Sequence, residues 1–400
     1  MQATRRNFIA GLSTAGSALA LSGFLGELRT HARELPATED SHATSKPARI
    51  LFNENPLGPS PRAIAAVQQA AAMWGRYPLG ESPILETKLR KLHGLPFNET
   101  APGLSLTRAA SPQGDTDLLL GIGSSEILKA IAWAYCSSGG NVVEAHPGYS
   151  AVGAEAEELP NSTATRRMIP LDAHNGIDVP AMLAAIDADT KVIVVCNPNN
   201  PTGSTITLSQ IEQLADATPA DALLLVDEAY IEFLPDEKTI SAIELAKSRK
   251  NVLVARTFSK IYGLAGLRVG YGLAATPVIE KLRPYMLGGL SLSMTGVVAA
   301  TAAMDDHEHL EATRNLNLKI QDSWQREFPR LGWKMSPSSA CFGWVDIGSD
   351  CRPLVQFLAS RNVLISGGGR WNLPNCVRIS IGTEEENNRL LAAAKAFKDA

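Results

Sequence analysis

Short apolar runs alternate with helical patterns through the middle of the chain. The runs are continuously apolar, which is typical of strands buried on both faces of a parallel sheet. They predict strands over residues 117–123, 141–145, 191–197, 222–230, 251–257 and 268–274, with helices over 124–136 and 208–218 and another after Tyr149. We therefore predict an α/β fold with a mostly parallel central sheet.

Both ends of the chain show other patterns. Helices are predicted over 59–74 and 82–94, followed by a long loop over 95–117. After Tyr285 come long helices, short strands and a final helix, which predict a smaller α+β domain. The expected organisation is an N-terminal segment over 49–77 (part of the small domain or a dimer arm), a large domain over 78–287 and a small domain over 288–400.

Composition narrows the classes of function. The 400 residues carry a net charge of −4 at pH 7, and no basic stripe argues for nucleic acid. The five cysteines are odd in number and widely spaced, and no C-x-x-C pattern occurs. We therefore expect mostly buried thiols and no metal site.

The first residues resemble an export signal. Arg5 and Arg6 are followed by Phe8 and a weakly apolar run diluted by Gly and Ser. This pattern favours a twin-arginine signal over residues 1–32, followed by a linker over 33–48. The apolar run is too short and glycine-rich for a stable membrane span. We expect a periplasmic protein delivered by the twin-arginine export machinery, and the alternative is a cytoplasmic protein with a basic tail.

A glycine-rich turn, "GIGSSE" at 121–126, follows one strand and opens a helix. With Glu144 at the end of the next strand (144 − 123 = 21), it resembles a dinucleotide fingerprint, the basis for the alternative of a nicotinamide-dependent oxidoreductase. However, Glu126 replaces the third glycine. A simpler interpretation is a helix N-terminus that binds one phosphate through Gly123 and Ser124. A plain serine N-cap is equally compatible with this stretch.

Polar residues follow the later apolar runs, and one of them is a lysine. The set comprises Asn200, Asp227, Tyr230, Lys260 and Arg268. In open α/β sheets, ligands bind outside the carboxyl ends of the strands, so we expect these side chains to meet there. A buried, unpaired ammonium is costly. Lys260 is therefore either exposed or engaged in a covalent bond.

Seven motifs occur in one order along residues 48–400. They are "NENPLGPSP" (53–61), "RYP" (76–78), "HPGYSAV" (146–152), "NPTG" (200–203), "VDEAYIEF" (226–233), "RTFSKIYGLAGLRVGY" (256–271) and "LPNCVRISIGT" (373–383). Together they resemble the fold-type I, class I/II aminotransferases that use pyridoxal 5′-phosphate, and the histidinol-phosphate aminotransferase group most of all.

The resemblance implies a cofactor role for each matching residue. Lys260 is expected to bind the cofactor aldehyde covalently and then to move the Cα proton of the substrate. Asp227 is expected to pair with the pyridine nitrogen, Tyr230 and Asn200 to bond the ring 3-oxygen, and Tyr149 to stack on the ring. The residues expected to hold the phosphate are Gly123, Ser124, Ser125, Thr257, Ser259 and Arg268. In this family a tyrosine of the neighbouring subunit also reaches the phosphate. Tyr77 matches it, which implies a homodimer with shared active sites.

The resemblance also implies a substrate site, with two departures. Arg378 matches the arginine that binds the substrate anion, and Asn53 and Leu57 are expected beside it. Histidinol-phosphate enzymes carry a second arginine where this sequence has Ser366, and usually an aromatic residue where it has Leu57. Arg370, in the following loop, is a candidate replacement for that arginine.

The expected reaction is ping-pong transamination between an α-amino acid and a keto acid. The alternatives are another pyridoxal-phosphate reaction (decarboxylation, racemisation or oxidative deamination) and a binding protein without activity.

Overall fold

The computed structural model describes residues 46–97 and 116–399, and the chain from Pro47 onward forms one compact unit. The predicted signal segment, nearly all of the linker and most of the predicted 95–117 loop lie outside the described residues. The domain boundaries predicted within the compact unit remain predictions.

The large sheet has seven strands in the order β2-β8-β7-β6-β5-β3-β4. These strands are β2 (Thr116–Ile122), β3 (Asn141–His146), β4 (Thr165–Pro170), β5 (Thr190–Cys196), β6 (Leu223–Asp227), β7 (Val252–Thr257) and β8 (Val269–Ala275). All neighbours from β4 to β7 pair in parallel, whereas β8 is antiparallel to both β7 and β2. The predicted mostly parallel α/β fold is confirmed. Strand β4 and the reversed direction of β8 were not predicted.

The central strands are buried because both faces of the sheet carry packed helices. In β5, Ile193 and Val195 belong to one apolar core, and Val192 and Val194 belong to the core on the other face. Side chains alternate across a strand with a period of two, so a strand covered on both sides must be apolar at every position. This is the physical origin of the continuous apolar runs in the sequence.

Helices cover the large sheet and build the C-terminal region. They are α1 (Pro61–Gln69), α2 (Glu81–Leu92), α3 (Ser124–Cys136), α4 (Ala151–Glu158), α5 (Val179–Ala185), α6 (Leu208–Ala217), α7 (Ile243–Ser248), α8 (Thr276–Leu282), α9 (Met294–Ala303), α10 (His307–Glu327), α11 (Arg352–Ser360) and α12 (Glu384–Lys398). The predicted helices are present, with ends within a few residues of the expected ones. Helices α5, α7, α8 and α11 were not predicted.

Two smaller sheets lie in the C-terminal region. Strands β9 (Lys334–Met335), β10 (Phe342–Asp346), β12 (Ser366–Gly367) and β13 (Cys376–Ser380) form an antiparallel sheet in the order β12-β13-β10-β9. Strand β1 (Ala48–Arg49) pairs in parallel with β11 (Val363–Leu364). This pairing ties the beginning of the compact unit to its C-terminal part.

Three broader expectations can be compared with the described residues. Within the ranges 46–97 and 116–399, no helix is both long and apolar enough to cross a membrane. The same ranges hold no group of His, Cys, Asp or Glu side chains arranged to bind a metal ion. All five cysteines are free and buried, as expected from their positions in apolar runs.

Candidate active site

The carboxyl ends of the central parallel strands meet at one edge of the large sheet. Cys196, the last residue of β5, stands in register with Asp227, the last residue of β6, which in turn pairs with Ala255 of β7. Asn200 follows β5 and Lys260 follows β7, so both continue from this edge. The sheet therefore brings together residues that lie tens of positions apart in the sequence.

Lys260 is half-buried in the turn after β7. Its Nζ donates to the backbone oxygen of Phe52 at 3.2 Å and lies 5.7 Å from the centre of the Tyr230 ring. Burial lowers the pKa of the ammonium, and the positive charge of Arg378 lowers it further. A larger share of Lys260 is therefore a neutral amine, the form that attacks an aldehyde.

Asp227 is only 3% exposed, and its Oδ1 accepts a hydrogen bond from the backbone N–H of Ala229 at 3.2 Å. Burial raises the pKa of the Asp227 carboxyl to about 7. An ionised carboxylate here would be stabilised by a cation placed against it. This is the environment expected for a group that pairs with a protonated ring nitrogen.

A chain of hydrogen bonds joins Tyr230 to Arg378. Asn200 Nδ2 donates to the Tyr230 hydroxyl at 3.3 Å, and Arg378 Nη1 donates to Asn200 Oδ1 at 2.7 Å. A guanidinium only donates, so it fixes which end of the Asn200 amide faces it. The residue predicted to bind the substrate anion is thereby connected to two residues predicted to bind the cofactor ring.

Hydroxyl groups and one arginine form a phosphate cup, which we define as residues 123–125, Thr257, Ser259 and Arg268. Arg268 Nη1 donates to Ser259 Oγ at 3.3 Å, and its Nη2 donates to Ser125 Oγ at 3.4 Å. Thr257 Oγ1 donates to Ser259 Oγ at 2.9 Å. The cup joins the N-terminus of helix α3 to the end of β7, and a guanidinium beside free N–H groups suits a phosphate.

Glycines allow the parts of the cup to approach each other. Gly123 is the N-cap of α3 with φ 69°, and no side chain caps this helix end. The plain serine N-cap considered above is therefore wrong. A Cβ on Gly123 would collide with the Arg268 guanidinium, and one on Gly270 would collide with the backbone nitrogen of Ser124. Glycine is thus required where the helix end, the arginine and β8 come together.

The other residues predicted to contact the cofactor lie at different depths. Tyr149 is 40% exposed. The pKa of its phenol is raised by burial of the group and also by the Asp227 carboxylate, and a hydrogen bond with Ser125 has the opposite effect. The Tyr149 phenol is therefore close to Ser125 of the cup and within electrostatic range of Asp227. Tyr77 is 66% exposed, and its side chain makes no hydrogen bond within the described residues. This chain alone does not bring Tyr77 to the cluster.

The substrate end is built on the small antiparallel sheet. Arg378 of β13 stands in register with Ser366 of β12. Arg378 Nη2 donates to the Leu51 backbone oxygen at 2.5 Å, and its Nε has no hydrogen-bond partner in the described part of the chain. Burial lowers the pKa of Arg378 to about 10, and it stays charged at neutral pH. Leu57 is 41% exposed, so it is available to line an entrance.

Residues 51–58, which we call the strap, hold contacts that the sequence did not predict. The strap offers the Leu51 and Phe52 backbone oxygens to Arg378 and Lys260. Asn53 Nδ2 donates to the Tyr230 hydroxyl at 3.0 Å, and Asn55 Nδ2 donates to the Ile261 backbone oxygen at 2.6 Å. The only signal in the sequence was the asparagine-rich "NENPLG" motif, because any residue type can make a contact through its backbone oxygen.

A buried ion pair behind the site was also missed. Arg256 Nε donates to Glu228 Oε2 at 2.9 Å, and both side chains are almost completely buried. Glu228 follows Asp227 and Arg256 precedes Thr257, so the pair joins the ends of β6 and β7 beside two predicted cofactor residues. Charged residues inside apolar strands were the available signal.

Glu126 and Glu144, on which the oxidoreductase alternative depends, form hydrogen bonds with other groups of the protein. Arg166 Nε donates to Glu144 Oε1 at 2.7 Å, and Glu126 Oε2 accepts from the Ile122 backbone N–H at 2.6 Å. Glu144 is therefore buried and paired with Arg166 within the β3–β4 edge of the sheet, an environment that differs from that of an exposed carboxylate binding a ribose.

The family model for class I and II aminotransferases matches residues 51–394. The chain belongs to the class I and II aminotransferases. Histidinol-phosphate aminotransferase 2 of Pseudomonas fluorescens is 34% identical over 354 residues, covering 87% of this chain and 88% of that protein. The histidinol-phosphate aminotransferase of Symbiobacterium thermophilum is 35% identical over 352 residues, covering 87% and 90%.

A solved structure agrees with these relatives. The histidinol-phosphate aminotransferase of Sinorhizobium meliloti, in complex with pyridoxal-5′-phosphate, has a TM-score of 0.76 and 30% identity, covering 92% of this chain and 96% of that one. The predicted pyridoxal-phosphate-dependent, histidinol-phosphate aminotransferase-like enzyme is confirmed. The site fits this cofactor: a phosphate cup opens beside a buried carboxyl and an amine with a lowered pKa. The individual residue assignments remain predictions.

Proposed function

We propose that this aminotransferase acts on a free α-amino acid, which Arg378 holds by its α-carboxylate, and that a keto acid receives the amino group. The position of Arg378 carries the proposal. Its guanidinium is buried, reaches Tyr230 through Asn200, and keeps Nε without a partner in the described residues. A buried guanidinium with an N–H group left to donate suits the planar, two-oxygen geometry of a carboxylate.

The chain's own groups supply binding and proton transfer. When bound, pyridoxal phosphate provides an electron sink for the electrons released at the substrate Cα. Asp227 would hold the pyridine nitrogen in its protonated form, and Arg268 would clamp the phosphate. Lys260 Nζ would take the Cα proton and return it, because burial favours its neutral form.

Selection against histidinol phosphate would come from Ser366. Its Oγ donates to the Leu51 backbone oxygen at 3.0 Å and lies 3.4 Å from Arg378 Nη2. A short hydroxyl occupies the position of the arginine expected in histidinol-phosphate enzymes. Losing a charge-assisted partner commonly costs about 1.5–3 kcal/mol. We therefore expect kcat/KM for histidinol phosphate to be at least about tenfold below that for the best amino acid.

The test is a panel of α-amino acids and histidinol phosphate, followed by absorbance of the bound cofactor and by detection of the keto product. Ser366→Arg should raise kcat/KM for histidinol phosphate by about tenfold or more. Ser360→Arg is the matched control, because Ser360 is exposed at the end of helix α11. It adds the same charge to the C-terminal region and should leave kcat/KM unchanged for both histidinol phosphate and the amino acids.

Two results would contradict the proposal. A higher kcat/KM for histidinol phosphate than for every amino acid would remove the proposed selectivity. Release of CO2, or of the opposite enantiomer, in place of a keto acid would favour the decarboxylase or racemase alternative.

A homodimer with shared sites is the second part of the proposal. The exposed ring of Tyr77 supports it, because a side chain that contacts a neighbouring subunit is exposed in a single chain. Tyr77→Ala and Lys260→Ala proteins should each be impaired. Mixing them should recover activity, because one site of the hybrid then has Lys260 from one subunit and Tyr77 from the other. Lack of recovery in a mixture that does form hybrids would contradict shared sites.

The third part is periplasmic location by twin-arginine export. Arg5, Arg6 and Phe8 support it, and so does the chemistry, since a cofactor site exists only after folding and this route carries folded proteins. Cells expressing the native chain and an Arg5→Lys/Arg6→Lys version should be fractionated. Export of the native chain alone is expected, whereas equal cytoplasmic retention of both would contradict the proposal and leave the enzyme assignment intact.

A further inference from the structure

Asn53 occupies an unusual position at the start of the strap. It is 2% exposed and has φ 56°, in the left-handed region that asparagine tolerates better than most residues. Its Nδ2 donates to the Tyr230 hydroxyl at 3.0 Å, and its backbone N–H donates to Ser380 Oγ at 2.8 Å. Its side chain is therefore directed at Tyr230, away from solvent.

The orientation of both amides around Tyr230 follows from their other partners. Ser380 Oγ accepts from the Asn53 backbone N–H, and its own proton goes to Asn53 Oδ1 at 2.8 Å. This leaves Nδ2 of Asn53 for Tyr230. The Arg378 guanidinium fixes Oδ1 of Asn200 in the same way, so its Nδ2 also faces Tyr230. Two N–H groups thus converge on one phenol oxygen.

A phenol oxygen has limited accepting capacity and one proton to donate. With two amide donors on the oxygen, the Tyr230 proton must point in a third direction. We propose that Asn53 is a positioning residue which, with Asn200, directs the Tyr230 O–H to donate to the 3-oxygen of the bound cofactor. This gives Asn53 a role through Tyr230, where the sequence predicted a substrate contact. The proposal does not depend on which amino acid is the substrate.

The surroundings keep Tyr230 able to donate. The ring is 4% exposed, with the Phe342 ring edge-on at 5.0 Å between centres. Burial raises the pKa of Tyr230 well above its ordinary value, and the nearby Cys341 and Cys196 thiols raise it further, whereas Arg378 lowers it. Lys260 Nζ lies on the face of the ring, 5.7 Å from the ring centre. The phenol therefore remains protonated at neutral pH.

The test compares the pH midpoint at which the absorbance of the bound cofactor changes in Asn53→Gly, Tyr230→Phe and the double variant. Glycine accepts the left-handed backbone at no steric cost, so Asn53→Gly removes the amide without straining the strap. Asn55→Ala is the control, since Asn55 also anchors the strap but bonds Ile261 and Thr313 instead of Tyr230. Thermal unfolding and the cofactor dissociation constant are measured for each variant.

A hydrogen bond to the cofactor oxygen stabilises its negative charge, so losing it should raise the midpoint. We expect a rise of about one pH unit in Tyr230→Phe and at least about 0.5 unit in Asn53→Gly, because a bond to a charged group shifts a pKa by about one to two units. The double variant should match Tyr230→Phe, and Asn55→Ala should match the wild type. An unmoved midpoint in Asn53→Gly, or an equal rise with and without the Tyr230 hydroxyl, would overturn the proposal.

Discussion

The cofactor end and the substrate end of the site are assembled in different ways. The phosphate cup draws on residues 123–125 and 257–268, which all lie at the carboxyl edge of the large sheet. The substrate end joins Asn53 to Ser380, 327 residues apart, and Leu51 to Arg378, also 327 apart. The cofactor end is formed by residues at one edge of a single sheet, whereas the substrate end forms only when the strap contacts the small sheet.

The difference indicates that cofactor affinity and substrate selectivity can change separately. Substitutions at the sheet edge should alter cofactor binding, and substitutions in β12 or β13 should alter the Michaelis constant. Asn200 is the junction, because it bonds both Tyr230 and Arg378.

Lys260 belongs to both ends, so its loss should have the largest effect. Lys260→Ala should lower transamination by about 1,000-fold or more, because one residue supplies both the covalent link and the proton transfer. Borohydride should fix the cofactor covalently to the wild type and not to the variant, as measured by mass spectrometry. Lys260→Arg is the control that keeps the charge, and activity near the wild-type level in either variant would contradict the role.

Arg378→Lys should damage mainly the substrate end. Replacing the planar guanidinium by an ammonium should raise KM by about 10- to 100-fold, the range expected for losing a bond between charged groups. The cofactor dissociation constant should stay within about threefold. Arg370→Lys is the matched control, since Arg370 is exposed. A larger rise in KM for Arg370→Lys would place the substrate carboxylate there instead.

Gly123→Ala should damage the cofactor end alone. The added Cβ meets the Arg268 guanidinium, so the cofactor dissociation constant should rise about tenfold, the loss expected for one charge-assisted bond, with little change in KM. Gly348→Ala is the matched control, because Gly348 has φ 74° and open space around it. It also places a side chain at a positive φ, which is strained, and it should leave cofactor binding unchanged. Equal rises in the cofactor dissociation constant in Gly123→Ala and Gly348→Ala would contradict a specific role of the cup in phosphate binding.

The last expected effect is a pH dependence of stability that belongs to the cofactor end. The pKa of Asp227 rises from 3.8 to about 7 on folding, so the folded protein holds more protons between those values and loses stability as pH rises from about 4 to about 7. In cofactor-free protein, Asp227→Asn should make this slope shallower by on the order of 1 kcal/mol per pH unit. Urea unfolding at several pH values measures it.

The pH comparison has an internal reference. Burial also raises the pKa values of Glu228 and Glu232, and both carboxyls are still present in the variant, so the difference between the two slopes reports Asp227 together with its coupling to Glu228. Arg378, with a pKa of about 10, does not titrate in this range. An unchanged slope in Asp227→Asn would contradict the buried, poorly partnered carboxyl described here.

The sequence predicted the strands and site residues that can be recognised from their side-chain types. Strands β5, β6 and β7 were found because two-sided burial demands unbroken apolar runs, and Asp227 and Lys260 stood out because charge after such a run is costly. Strand β4 was missed since its burial is partial, with Arg166 and Arg167 inside it. The reversed β8 is as apolar as its neighbours, and composition does not record strand direction.

The cofactor residues were predictable in a way that their supports were not. Their side chains are chemically distinctive, and they follow one another along the chain in motif order. The Leu51 and Phe52 contacts use backbone oxygens, which any residue could offer. The Asn53–Tyr230 bond joins residues 177 positions apart, a proximity that only the tertiary fold creates.

The two-residue pairing of β1 with β11 also sets an order of events during synthesis. Ala48 is translated 315 residues before its partner Val363 (363 − 48 = 315), which is roughly 16–63 s at about 5–20 residues per second. Every residue of the phosphate cup has been made once the ribosome passes Arg268, but Leu51 and Asn53 must wait for Arg378 and Ser380. The substrate end therefore forms only after Arg378 and Ser380 have been translated, more than 100 residues after the last residue of the phosphate cup.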